Sequence, residues 1–174
     1  KDVSEFDTLD EYKASLREEM EKQREESALN HYKANIAIKV TEDSDVVAPE
    51  SMVEKEVENY LNEMTYNLRA KGIEMEQYYQ LTGSSEEDVK KEFSGRAEAS
   101  VKQQLVLGAI ADREEIDVTE EEMDAEYEKL SKYYQMEKDQ LKQIFMVQGQ
   151  TESLRNSIKF EKVMDKLFEN AVIK

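Results

Sequence analysis

Residues 84–111, S-S-E-E-D-V-K-K-E-F-S-G-R-A-E-A-S-V-K-Q-Q-L-V-L-G-A-I-A, decide the fold class. Ser84 with Glu87 three residues on reads as a capping box, a hydroxyl and a carboxylate that satisfy the first free N–H groups of a helix. Val89, Phe93, Ala97, Val101 and Leu105 then recur at every fourth residue, which places them on one helical face. The run Leu105–Ala111 is uniformly apolar and reads as the buried end of that helix. It is far short of the roughly 20 residues that cross a bilayer. Gly108 within it is expected to permit a close helix crossing.

Upstream, Thr8 and Glu11 make another capping box, opening a helix with Leu9, Tyr12, Leu16 and Met20 on one stripe. A polar stretch, E-K-Q-R-E-E-S, follows before Leu29, Tyr32 and Ile36, so one long helix with packed ends and a wetter middle is expected. T-E-D-S-D-V-V-A (41–48) reads as a loop, and Pro49 as the first residue of the next helix, where its missing N–H costs nothing. Val53, Val57, Tyr60, Leu61, Met64 and Leu68 form its apolar face up to Gly72; a short helix over 76–81 stops at Gly83.

Downstream, Thr119 with Glu122 opens a helix carrying Met123, Tyr127, Leu130 and Tyr134. Glu120, Glu121 and Glu122 complement the dipole of its first turn. A helix over 137–147 with Leu141, Ile144 and Phe145 ends at Gly149, and Leu154, Ile158, Val163 and Leu167 organise a last one. About seven helices and no strand are predicted, Ile36–Val40 being the sole β-tempting run. The fold class is therefore all-α: an elongated multi-helix body with protruding helical-hairpin arms, since long amphipathic hairpins make arms more readily than a sphere.

Composition agrees. The chain has 174 residues, 37% of them charged, 39% hydrophobic, with five Gly and one Pro. Cysteine is absent, which excludes disulfides and thiol chemistry and is compatible with a reducing compartment. The net charge of −17 repels phosphate backbones and anionic lipid, so neither nucleic acid nor membrane is an expected partner.

No catalytic constellation stands out. His31, the sole histidine, cannot supply the two Glu-x-x-His motifs of a di-iron bundle and reads as a partly exposed helix side chain. T-E-D-S-D lacks the central Gly of a calcium loop. Gly95 and Gly108 lie in helices rather than in a phosphate-cradling turn. Neither metal nor cofactor is expected. Eight Met, nine Tyr and five Phe occupy helix faces instead. On an elongated frame some of these stripes stay uncovered, and Met-rich patches re-pack around varied partners.

Four strings carry a family signal: A-P-E-S-M-V-E-K-E-V from Ala48, E-Q-Y-Y-Q-L-T-G-S-S-E-E-D-V from Glu76, R-A-E-A-S-V-K-Q-Q-L-V-L-G-A-I-A from Arg96, and D-V-T-E-E-E-M from Asp117. In this order and spacing they resemble the C-terminal, substrate-holding domain of bacterial trigger factor, the ribosome-associated chaperone. The resemblance covers nearly the whole chain, from Asp2 to Ala171. It implies a single helical chaperone domain over residues 1–174, with a connecting helix and loop at 1–47, a first arm and body at 48–118, and a second arm and return helix at 119–174. The opening K-D-V-S-E-F-D-T-L-D-E-Y resembles the sequence just past the family's isomerase domain.

The resemblance further implies a cytoplasmic, ATP-independent chaperone whose cradle holds unfolded or nascent polypeptides. Prolyl isomerisation and ribosome docking would belong to N-terminal parts absent here, so no enzyme activity is expected, and weak self-association through uncovered patches is allowed. On the second arm the implied client contacts are Leu130, Tyr134, Leu141, Ile144 and Phe145. On the first arm they are Met64, Leu68, Tyr78, Tyr79 and Leu81. Two readings stay open beside it: a helical adaptor with one folded partner, which predicts one large apolar patch, and the helical body of a periplasmic outer-membrane-protein chaperone.

Overall fold

The computed structural model describes Phe6 and residues 8–171, so the opening K-D-V-S-E lies outside the described residues. Seven helices follow one another among them: α1 (Leu9–Glu42), α2 (Glu50–Ala70), α3 (Met75–Thr82), α4 (Glu86–Arg113), α5 (Glu120–Tyr134), α6 (Lys138–Val147) and α7 (Thr151–Glu169). No strand occurs among the described residues, and Ile36–Val40 lies inside α1.

The caps follow local chemistry. Thr8 with Glu11 and Thr119 with Glu122 form the reciprocal boxes read from the sequence. The box of α4 sits one residue later than expected: Ser85 Oγ accepts from the Asp88 N–H, and Asp88 accepts from the Ser85 N–H. Ser84 is engaged instead with the Thr82 hydroxyl at 2.6 Å, where the preceding turn closes. Gly83 ends α3 at φ +70°, a left-handed conformation that costs a side chain about 1–2 kcal/mol. The turn between α5 and α6 puts Gln135 at φ +53° without a glycine. There the Met136 N–H donates to the Ser131 carbonyl at 3.0 Å, as in a Schellman ending.

Three packed regions result. α2 lies along the first half of α4, burying Val57, Val89, Ala97 and Val101, with Tyr60 and Phe93 rings 5.8 Å apart. This pair, with α3 at its tip, is the first arm. The body joins the end of α1, the end of α4 and α7 around Ala37, Leu107, Ala111 and Val163. The second arm is α5, α6 and the start of α7 around Val118, Met123, Tyr127, Leu141 and Ile158.

Ion pairs supplement apolar packing mainly around α7. Arg155, Lys159, Lys162 and Lys166 run down one stripe of it and meet Glu120 (2.7 Å), Asp112 (3.1 Å), Glu122 (2.7 Å) and Glu114 (2.6 Å). Asp124 on α5 bridges Lys138 at 3.2 Å and Lys142, both on α6. The acidic first turn of α5 therefore does more than complement a helix dipole; it pins α7.

Two packing expectations are corrected. Leu9, Tyr12, Leu16 and Met20 are exposed, because α1 meets α4 and α7 only through its C-terminal part and no element reaches its first turns. Only the C-terminal end of the helix is packed. Gly108 permits no close crossing: a Cβ built there meets nothing within 4 Å.

Candidate functional site

Apolar residues are left uncovered along α1, as described above, and on both arms. α6 is only ten residues long and amphipathic, and it packs on α5 and α7 through Leu141 and Phe145. Its other flank stays open. Met136, Gln140, Gln143, Ile144, Val147 and Gln148 line a shallow groove of 460 Å³ there. Val147 is 83% exposed, and Met146 beside it is also exposed. At the end of α5, Tyr133 and Tyr134 stand exposed and edge to face with ring centroids 5.1 Å apart. Paired tyrosines present apolar area at low entropic cost together with a hydroxyl each. Glutamines interleaved with Ile and Val supply adaptable donors and acceptors without charge.

Of the five second-arm residues expected to contact a partner, the structure leaves Tyr134 and Ile144 on the surface. Leu130 and Phe145 are half-buried against the arm's core, Phe145 edge-on to Tyr127 at 5.7 Å. Leu141 is 3% exposed and belongs to that core, which corrects the expectation for this residue. The reason is the third helix of the arm: α7 returns beside α6 and closes over the face that two helices alone would leave open.

On the first arm, Leu81 is 80% exposed at the tip, whereas Met64, Leu68, Tyr78 and Tyr79 are half-buried. Tyr79 faces a hollow with Leu61, Met75, Glu58, Glu76 and Glu86. Partial burial, and then the Glu86 carboxylate, hold its phenol proton more tightly than usual. Tyr78 stands edge to face with Tyr79 at 6.1 Å.

Several exposed residues were not singled out from sequence: Tyr66, Tyr133, Met136, Met146 and Val147. Tyr66 falls off the α2 stripe, the signal that separates it from Met64 and Leu68. Met146 and Val147 are the last two residues of α6, before Gln148 and Gly149. No group of three or more His, Asp or Glu positioned for a metal occurs among the described residues. None of their helices is long and apolar enough to cross a membrane.

The family model described as bacterial trigger factor protein C-terminus matches residues 8–169. The chain belongs to this trigger factor C-terminal family. A trigger factor of Natranaerobius thermophilus is 38% identical over 173 residues, 99% of this chain and 39% of its own length. One of Shouchella clausii is 35% identical over 172 residues, 98% and 40% respectively. The chain thus spans about 40% of the length of the curated relatives it matches. Among solved structures, one from work on the domains of trigger factor from Thermotoga maritima superposes with a TM-score of 0.59 at 26% identity. It covers 97% of this chain and 98% of its own. A second, described as the trigger factor chaperone with promiscuous substrate recognition, gives 0.54 at 25% identity over 98% of this chain and 41% of its own.

Both similar structures extend over nearly the whole chain, so body and arms belong to one shared fold.

Proposed function

We infer that this trigger factor C-terminus is a non-enzymatic chaperone module that holds unfolded polypeptides on separate apolar patches without nucleotide. The observation that carries the reading is the placement of uncovered apolar side chains. Besides the exposed stripe of α1, they stand at the ends of two arms, around Leu81 on one and around Tyr133, Tyr134, Ile144 and Val147 on the other, on a helical frame. An adaptor for one folded partner calls for one contiguous apolar face, and this surface is divided.

Each patch is weak alone. Covering about 100–200 Å² yields only a few kcal/mol at roughly 25 cal/mol per Å², and ordering a flexible client offsets part of that. Patches on one frame raise each other's occupancy through effective concentration, so a client exchanges locally and seldom leaves altogether. The revised contact set is Tyr133, Tyr134, Met136, Ile144 and Val147 on the second arm, with Leu130 and Phe145 at its margin. On the first arm it is Leu81, Tyr78 and Tyr79, with Met64 and Leu68 at the margin. The module acts in the cytoplasm, and ribosome contact and prolyl isomerisation lie outside these 174 residues.

The test is aggregation of a denatured model protein followed by light scattering, with no nucleotide added. Suppression at a few-fold excess of the module is expected; unchanged scattering removes the reading. Tetrapeptide isomerisation above background would restore an enzymatic one.

A further inference from the structure

Where α1 and the following loop meet the base of the first arm, a crotch of 580 Å³ opens. Ile38, Val46 and Ala99 supply its apolar lining, and Tyr60 and Arg96 line it together. The Arg96 guanidinium carbon lies 4.5 Å from the centre of the Tyr60 ring. A guanidinium over an aromatic face is held by the ring while its N–H groups remain available as donors.

Three acids of this region have partners of their own. Glu56 accepts from Ser100 at 2.9 Å with one oxygen and from Asn59 at 3.0 Å with the other. Glu42, on the crotch wall, lies 3.9 Å from Lys39, and Glu98 is taken by Lys102 at 2.6 Å. The arginine ion pairs among the described residues are those of Arg69 and Arg155; Arg96 makes none. In a chain of net charge −17, Arg96 is a guanidinium without an ion-pair partner among the described residues, beside an apolar hollow.

We propose that this crotch is a third capture point, selective for extended polypeptide segments carrying an Asp or Glu beside apolar side chains. The carboxylate accepts from the N–H groups of Arg96, a charge-assisted and often two-pronged pairing. The neighbouring apolar side chain covers Ile38 and Val46. This rests on the capture reading above and adds a substrate class to it: segments that the acidic surface otherwise repels gain one place to dock.

The experiment compares two fluorescent decapeptides, identical and apolar except for a central Glu or Gln, by anisotropy on the 174-residue chain and on Arg96→Gln and Arg96→Lys. The Glu peptide is expected to bind the parent about fivefold tighter, the scale of an ion pair at a solvent-open rim. Arg96→Gln should abolish that preference without changing the Gln peptide's affinity, and Arg96→Lys should retain part of it. Tyr133→Ser with Ile144→Ser should weaken both peptides and leave the preference intact. Gln-peptide binding with no Glu preference, or a preference that survives Arg96→Gln, overturns the proposal and leaves capture standing. Neither peptide binding overturns both. Sedimentation showing a dimer that Arg96→Gln dissolves would assign the crotch to a second copy of the chain and likewise overturn it.

Discussion

Leu141 and Ile144 are three residues apart on α6, yet one is sealed in the second arm's core and the other borders an open groove. Substitution separates these roles. Leu141→Ala should cost about 2–5 kcal/mol, the range for emptying a packed leucine site, read by chemical denaturation. Tyr134→Ser with Ile144→Ser should change stability by no more than about 1 kcal/mol while weakening suppression of aggregation. Phe145→Ser cannot make this distinction, because its ring packs on Tyr127. Gly108 offers the opposite case. It lies mid-helix, has open space where a Cβ would go and does not have positive φ. Gly108→Ala should therefore stabilise by up to about 1 kcal/mol through helix propensity, read from the thermal melt. A loss of stability there would reveal a close approach that the structure does not contain.

The two arms are held by different forces. α2 and α4 meet through Val57, Val89, Ala97, Val101 and the Tyr60–Phe93 pair. α5, α6 and α7 add a set of cross-helix ion pairs to their core. Lys142 and then Lys138 hold the Asp124 carboxyl below its usual range. Lys162, with the Thr119 N–H, does the same for Glu122, and Lys166 does so for Glu114. A carboxylate with a depressed folded pKa contributes stability that is fully present above its unfolded pKa and lost as pH falls through the folded one. Since unfolded carboxyls titrate at about 4, the loss begins near there and deepens below it. Asp124 shifts Lys142 upward and Glu120 shifts Arg155 upward, so their contribution fades only on the strongly alkaline side. On lowering the pH from 6 to 3, amide hydrogen exchange should rise in α5 and α6 before it rises in α2 and α4. About 1 M salt should have a weaker effect of the same kind, by screening exposed pairs. Equal protection of both arms throughout would show that the ion pairs do not set the order of opening.

At the scale of the molecule, the accessible surface is 13571 Å² for 20.3 kDa. A compact monomer of that mass exposes about 8,800 Å². The excess arises from three small cores in place of one, and from the first turns of α1, which no other element covers. Small-angle scattering should return a radius of gyration well above the roughly 16 Å of a compact chain of this length. A value near 16 Å would mean that the arms fold back onto the body. The absence of one shared core also predicts that the second arm opens without unfolding the body, since few apolar contacts cross between them.

Much of this was legible from local chemistry. Thr8–Glu11 and Thr119–Glu122 are caps whose partners lie three residues away, and the four-residue stripe of α4 needs no distant information to be helical. Glycines at 72, 83 and 149 have positive φ and mark three of the breaks between helices. The sequence by itself therefore determined that the chain is all helical, roughly where each helix begins and ends, and, through its four ordered strings, the family to which it belongs. Only the tertiary structure decided which stripes are covered. Leu9, Leu16 and Met20 look as buriable as Val57, and Leu141 as open as Ile144, because a helical stripe records amphipathicity and not the presence of a neighbour. Covering a face depends on which helix returns to it: α7 comes back over Leu141, nothing returns over Leu16, and the ion pairs of Arg155 and Lys162 with residues 35 and 40 positions away exist only once it has.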